Sequence, residues 1–166
     1  MDLRLEDLRI DVFSNSAAAH TRVTHLPTGV ETVGHDPDHP ASHLAARRMA
    51  MDDLRDALER RKYQIPAHLV FVGAGWHSIL NRLHEQVVAL VPEYRVSQVK
   101  EKHGELRVYL SLDPHLDGHI TAAVNTRVHE LLDAAENESR RTCEECGNPG
   151  GPVGAGWVKA PCSTCA

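Results

Sequence analysis

The chain has 166 residues, with 18 Lys and Arg against 23 Asp and Glu, a formal charge of −5 and 4% aromatic residues. That balance excludes nucleic-acid binding through a broad basic surface, because neutralising phosphates takes clustered Lys and Arg. No apolar run approaches the roughly 20 residues that span a bilayer, so no membrane partner is expected, and Leu, Val, Ile and Ala must build the cores.

In chain order, Leu8, Ile10 and Val12 alternate at period two and predict a strand. After the small polar stretch Ser14 to Ala19 come Thr21 to His25 and Val30 to Val33, two further strands. Pro27-Thr28-Gly29 between them sets φ at Pro and accepts positive φ at Gly, which predicts a hairpin. A loop rich in His, Asp and Pro runs from Gly34 to Pro40. Ser42 can cap a helix reaching about Arg61, with Leu44, Met51, Leu54 and Leu58 as its apolar stripe.

A joint near Gln64-Ile65-Pro66 divides the chain into modules 1–63 and 64–166. Leu69 to Val72 predicts a short apolar strand or turn, broken by Gly73-Ala74-Gly75. Trp76, Ile79, Leu80, Leu83, Val87 and Val88 follow helical spacing until Pro92. Tyr94 to Lys100 and Leu106 to Leu112 flank Lys102-His103-Gly104-Glu105, a second hairpin. Its return strand alternates, with Leu106, Val108, Leu110 and Leu112 inward and Arg107, Tyr109 and Ser111 outward. A polar turn from Asp113 to Gly118 leads to a last helix with Ile120, Val124, Val128, Leu131 and Leu132 on one face. Gly-Ala-Gly-Trp occurs at 73–76 and again at 154–157, with unmatched flanks, and reads as coincidence.

The only four cysteines form two Cys-x-x-Cys pairs, Cys143 with Cys146 and Cys162 with Cys165, separated by fifteen residues. That is the spacing of a structural Zn²⁺ site built from two knuckles across 143–166. Four sulfurs close the coordination sphere, so the ion is expected to hold the fold rather than to catalyse. Two disulfides or a redox Cys-x-x-Cys are the other readings. Disulfides are disfavoured because nothing at the N-terminus resembles a signal peptide, and a redox site would need only one pair, so the expected compartment is the reducing cytoplasm. Trp157 is expected to pack over the site.

The polar clusters admit two readings each. Lys100, Lys102 and Arg107 surround a Gly turn and, with Tyr109, offer a surface for phosphates, an acidic partner or another protein. The plainer reading is a solvated tip in which Glu101 and Glu105 neutralise the cations. Arg47, Arg48, Arg55 and Arg60-Arg61-Lys62 make one helix locally basic, while Asp52, Asp53, Asp56 and Glu59 equally suit a surface ion-pair lattice. His35, His39 and His43 recur every four residues, but Pro37 and Pro40 forbid a regular helix there, so a plain loop is expected. His25 reads as a hydrogen-bonding turn residue. No nucleophile–base triad, P-loop or dinucleotide fingerprint occurs, and no motif points to a small-molecule substrate.

The run Arg22-Val23-Thr24-His25-Leu26-Pro27-Thr28-Gly29-Val30 resembles the strand–turn–strand of the catalytic domain of bacterial peptide-chain release factors. Ser42 to Met51 falls where that family carries a Ser-Gln-x-x-Asn segment and its following helix. The resemblance covers about the first sixty residues. It implies a scaffold near ribosomal RNA, but the family's Gly-Gly-Gln loop, which positions the hydrolytic water, precedes the hairpin. Here Ser14 to His20 holds neither glycine nor glutamine, so that hydrolysis is not expected and the scaffold stands as a binding module. Shortened relatives of this layout are familiar in bacteriophage genomes.

Gly75-Trp76, Gln98 to Tyr109 and the terminal cysteine pairs are similar to a bacterial and phage family of unassigned function. Its members carry a Lys-Glu-Lys-Phe-Gly-x-Leu-Arg hairpin and terminal zinc knuckles. His103 stands where that family has Phe. This likeness implies layout and metal, and no activity.

The expectation is an α+β protein of two small lobes, β-β-β-α then α-β-β-α, closed by a four-cysteine zinc knuckle pair. It is expected not to be an enzyme: the release-factor-like loop is missing, and a zinc hydrolase is disfavoured because a four-sulfur site is closed. The expected role is a phage or bacterial accessory protein that binds the ribosome or rRNA, alternatively a protein–protein interaction module, host-directed or structural, without a nucleic-acid role.

Overall fold

A computed structural model describes residues 3–14, 18–112, 120–151 and 162–165. The chain is α+β and divides into two compact units, Met1–Arg60 and Arg61–Ala166.

In the first unit a 3₁₀ turn (Leu5–Asp7) leads into β1 (Leu8–Ser14), β2 (Ala19–His25) and β3 (Val30–Gly34). They form an antiparallel meander in the order β1-β2-β3, with Ile10 opposite Val23 and Val23 opposite Thr32. The strands form where the alternating side chains can bury one face, and Val23 and Thr21 are fully covered. The β2–β3 turn is locked by His25, whose carbonyl accepts from the N–H of Thr28 and of Gly29 (3.2 and 2.8 Å). Its ring Nδ1 lies 2.7 Å from Thr28 Oγ1, and Gly29 supplies the φ of +69° that the turn requires. His25 is thus the hydrogen-bonding turn residue expected of it.

Helix α1 (His43–Arg61) starts where Ser42 Oγ accepts the N–H of Ala45 at 3.2 Å. It buries Ala46, Ala50, Leu54 and Leu58, an unbroken i, i+4 row, and the last three pack with Val23, Ile10 and Leu8. Leu44, expected in that stripe, is 80% exposed. The reason is Gly34, where a β-carbon would meet Ala46 O at 1.9 Å. Helix and β3 touch backbone to backbone there, which selects small residues at 46 and 50 and turns Leu44 outward. Thr32 Oγ1 donates to Ala50 O at 2.7 Å across the same contact.

The second unit opens with a short helix α2 (Ile65–His68). Leu69–Phe71 then forms a 3₁₀ turn, so of the two readings for this stretch the turn holds and the strand does not. A second 3₁₀ turn, Ala74–Trp76, precedes α3 (His77–Leu90), so Trp76 lies just before the helix rather than within it. Pro92 follows the helix end, where Val91 N–H caps Val87 O. β4 (Arg95–Lys102) and β5 (Glu105–Ser111) form an antiparallel ribbon, with Lys102 opposite Glu105 and a bulge between Val96 and Gln98. His103 and Gly104, at φ +56° and +77°, make the two-residue turn whose twist matches the strands. Glu101 Oε1 accepts the N–H of Gly104 at 2.6 Å, so it caps the turn instead of neutralising a lysine.

Helix α4 (Ala122–Ser139) is capped by Thr121, whose Oγ1 accepts from Val124 N–H. Val128, Leu131 and Ala135 meet Trp76, Leu80, Leu83, Val87, Val99 and Leu106 in one core. Each of the large side chains in it contributes about 1.5–3 kcal/mol by leaving water. The expected turn from Asp113 to Gly118 lies outside the described residues, as do Trp157 and the second Gly-Ala-Gly-Trp.

Candidate metal centre

The last turn of α4 passes directly into the first knuckle. Thr142 Oγ1 donates back to Glu138 O (2.9 Å), and Thr142 bridges Pro149 across the loop. Inside that loop Cys143 N–H donates to Asn148 O (2.8 Å), and Gly147 N–H donates to Cys143 O (2.9 Å). Gly147 has φ +78°, which lets the chain reverse directly after Cys146. The second knuckle closes similarly, with Cys165 N–H on Cys162 O at 3.1 Å.

The two turns bring four sulfurs together: the Sγ atoms of Cys143, Cys146, Cys162 and Cys165 all lie within 4.8 Å of one another. Cys146 Sγ and Cys162 Sγ are 3.5 Å apart. A tetrahedral ion with metal–sulfur bonds of about 2.3 Å needs sulfur separations of about 3.8 Å, so the cluster has the size to hold a metal ion. Cys143 and Cys162 are buried, and Cys146 and Cys165 face solvent.

The electrostatics of the cluster suit an ion as well. Burial works against a thiolate at Cys143, but the N–H groups of Cys146, Cys162 and Glu145 outweigh it and hold the thiol below its usual range. The N–H of Thr164, joined by that of Cys165, brings Cys162 down to about 6 against the cost of desolvation. Cys165 is pushed up to about 12, first by hydrogen bonds with Cys146 and Cys162 and then by burial. Four thiols in contact cannot all shed their protons without a cation to balance them.

What sequence reasoning missed is the seat of the first knuckle. Gly75 N–H donates to Glu144 O at 2.7 Å, Gly73 N–H donates to Glu144 Oε1 at 3.1 Å, and Trp76 Nε1–H donates to Thr142 O at 2.8 Å. The Gly-Ala-Gly-Trp at 73–76 is therefore the cradle on which the knuckle rests. Two glycines and an indole just upstream of a helix, in a chain that ends in Cys-x-x-Cys pairs, were the available signal.

The remaining candidates fall elsewhere. Arg47 and Arg48 are exposed on α1, in no ion pair among the described residues. Arg55 pairs with Asp52 at 2.6 Å. Lys100 donates to Gln98 Oε1 (2.7 Å) and lies 5.2 Å over the ring of Tyr109, while Lys102 is exposed at the hairpin tip. Arg107 is held by Glu136 and by Glu105 (2.5 Å), and Glu105 also pairs with Arg140 at 2.9 Å. Its guanidinium is thus committed within the fold. His35 and His39 sit in a loop, His39 on Asp36 at 3.2 Å. Among the described residues the cysteines are the one His, Cys, Asp and Glu group arranged for a metal.

No protein-family profile matches the chain, and no solved structure matches it. Peptide chain release factor 2 of Lactiplantibacillus plantarum is 27% identical over 135 aligned positions, which cover 72% of this chain and 35% of the relative. The chain thus spans about a third of that relative's length and contains a release-factor-like region. A match over 72% of the chain extends past the first unit, Met1–Arg60, where the Thr-His-x-Pro-Thr-Gly likeness lies. None of the described helices is long and apolar enough to cross a membrane.

Proposed function

We propose that the chain is a non-catalytic zinc protein that docks on the translation machinery through α1, with ribosomal RNA as the contact. The observation that carries this reading is the release-factor-like hairpin. Thr24 to Gly29 folds as a strand–turn–strand locked by His25 and Thr28, and its sheet buries α1. The helix turns Arg47 and Arg48 to solvent, and cations in no ion pair among the described residues are available to phosphates. The stretch Ser14 to His20 lacks the glycines and the glutamine that the release-factor reaction uses, which supports a binding role over hydrolysis.

Zinc is the ion we assign to the four cysteines. A set of four thiolates at tetrahedral spacing leaves no open coordination position, so the ion ties the C-terminal knuckles to α4 and to the 73–76 cradle. A protein partner is the second reading, favoured by the internal pairing of Arg107 and by the charge of −5.

Co-sedimentation of the full chain with bacterial ribosomes tests the proposal. Binding at low salt that fades as salt rises, and that is lost in Arg47→Glu/Arg48→Glu, is the expected result. Wild-type protein that never co-sediments overturns it, and salt-insensitive capture of one stoichiometric protein favours the second reading.

A further inference from the structure

Among the described residues the ribbon of β4 and β5 has two strands, and β5 pairs with a strand on one side only. Lys102 opposite Glu105 closes a two-residue turn and carries ladder hydrogen bonds. Alternation then directs the backbone groups of Arg107 and Tyr109 toward β4, and those of Leu106, Val108 and Leu110 away from it. Leu106 shows the direction, because its N–H donates to Ser139 Oγ of α4 at 2.9 Å. Beyond Ser139 no other strand of the described residues lies along this edge.

A cavity of about 440 Å³ opens at the same place, lined by Val108, Tyr109 and Leu110 from the strand and Val128, Leu132 and Asp133 from the helix. Successive strand side chains point to opposite faces. A cavity that touches three in a row therefore runs along the edge of β5, between it and α4. Apolar Leu110, Val128 and Leu132 share its lining with polar Asn125 and His129. At its rim Glu136 is neutralised by Arg107, whereas Asp133 is exposed and in no ion pair among the described residues.

We propose that an extended peptide bearing Lys or Arg docks in this groove, adding as a third strand on β5 with an apolar side chain in the cavity and a basic one on Asp133. Unpaired N–H and C=O groups at strand spacing are matched by an extended backbone. RNA offers no such ladder, and its phosphates are repelled by Asp133. A second copy of the chain brings another Asp133 and another net charge of −5 to the same edge. This inference concerns the second unit alone and stands apart from the role of α1.

The full chain is titrated with three labelled probes: Ac-Lys-Val-Lys-Ile-Lys-Val-NH₂, its Glu-for-Lys counterpart, and a version N-methylated at alternate backbone positions. Fluorescence anisotropy reads affinity, and amide hydrogen exchange reads Val108 and Leu110. The expected result is saturable binding of the basic peptide, slower exchange at both amides, and at least about tenfold weaker binding of the N-methylated form. Asp133→Lys, an exposed substitution that leaves the core intact, weakens the basic peptide by about tenfold. Binding indifferent to N-methylation, or no saturation by the basic peptide, overturns the proposal. So does sedimentation as a dimer with both amides already protected, which assigns the edge to a second copy.

Discussion

Gly75 and Glu144, 69 positions apart in sequence, are joined by a 2.7 Å hydrogen bond from the glycine N–H to the glutamate carbonyl. The approach leaves no room for a side chain. A β-carbon at Gly75 would stand 2.1 Å from Cys143 O and 2.3 Å from Gly147 N, both backbone atoms of the first cysteine knuckle. The cysteine cluster is thereby fixed to the start of α3 and not only to the end of α4.

Gly75→Ala is therefore expected to force the first knuckle off its seat. Backbone atoms cannot swing aside like a flexible side chain, so the cost reaches or exceeds the ~1–3 kcal/mol typical of overpacking. Thermal unfolding together with metal stoichiometry checks this. A variant that melts with the wild type and keeps one ion per chain shows the seat to be dispensable.

Removal of the ion should loosen the C-terminal end of the chain. In Cys143→Ser or Cys162→Ser, or on chelation, metal content falls below one per chain and the melting temperature drops. Apparent binding energies of ~10–16 kcal/mol for structural zinc appear as folding energy of the segment that binds it. Metal analysis and calorimetry on the same samples provide the check. Unchanged values in both variants rule out the clip.

Ser139 is a buried serine with one task in each direction. Its Oγ accepts the N–H of Leu106 (2.9 Å) and donates to Glu136 O (2.7 Å). Ser139→Ala leaves the Leu106 N–H buried without a partner, at an expected cost of about 1–3 kcal/mol in urea unfolding. A loss below about 0.5 kcal/mol means that water reaches the orphaned donor.

A second buried relay sets a pH dependence. Ile65 N–H donates to Tyr94 Oη (3.1 Å), which lies 2.6 Å from His84 Nδ1. Burial, and then the charge of Arg61, lower the pKa of His84 below 6.5, which favours the neutral ring beside Tyr94 Oη. The unfolded chain thus binds the proton more readily than the folded one. This contribution is full above pH 6.5 and is lost as pH falls from there through the folded pKa. Urea midpoints at pH 7.5 and 5.5 should differ more for wild type than for His84→Gln, and equal differences remove His84 from the account. Tyr94→Phe, which strands the Ile65 N–H, is expected to cost about 1–3 kcal/mol at either pH.

Elements whose pattern is complete within a few residues were legible. The alternation of Leu106, Val108 and Leu110, the Pro27-Thr28-Gly29 turn, Ser42 as helix cap and the paired cysteines each carry their geometry locally. The helix stripe was half legible. Leu54 and Leu58 lie inside, but hydropathy favoured Leu44 over Ala46, and only the backbone contact at Gly34 reverses that choice. Likewise the charges of Lys100, Lys102 and Arg107 read as one cluster, whereas folding commits Arg107 to Glu136 and leaves Lys102 exposed.

The sequence by itself determined the α+β class, the two hairpins and the four sulfur donors, because periodicity, turn chemistry and Cys-x-x-Cys spacing act over spans shorter than a turn or a strand pair. Tertiary structure alone decided that Gly73 to Trp76 seats the knuckle, that Ser139 closes one end of the β5 edge and that no other described strand lies along the rest of that edge, where a cavity borders α4. Those outcomes depend on which distant backbones approach within hydrogen-bond reach, and no local pattern encodes that distance.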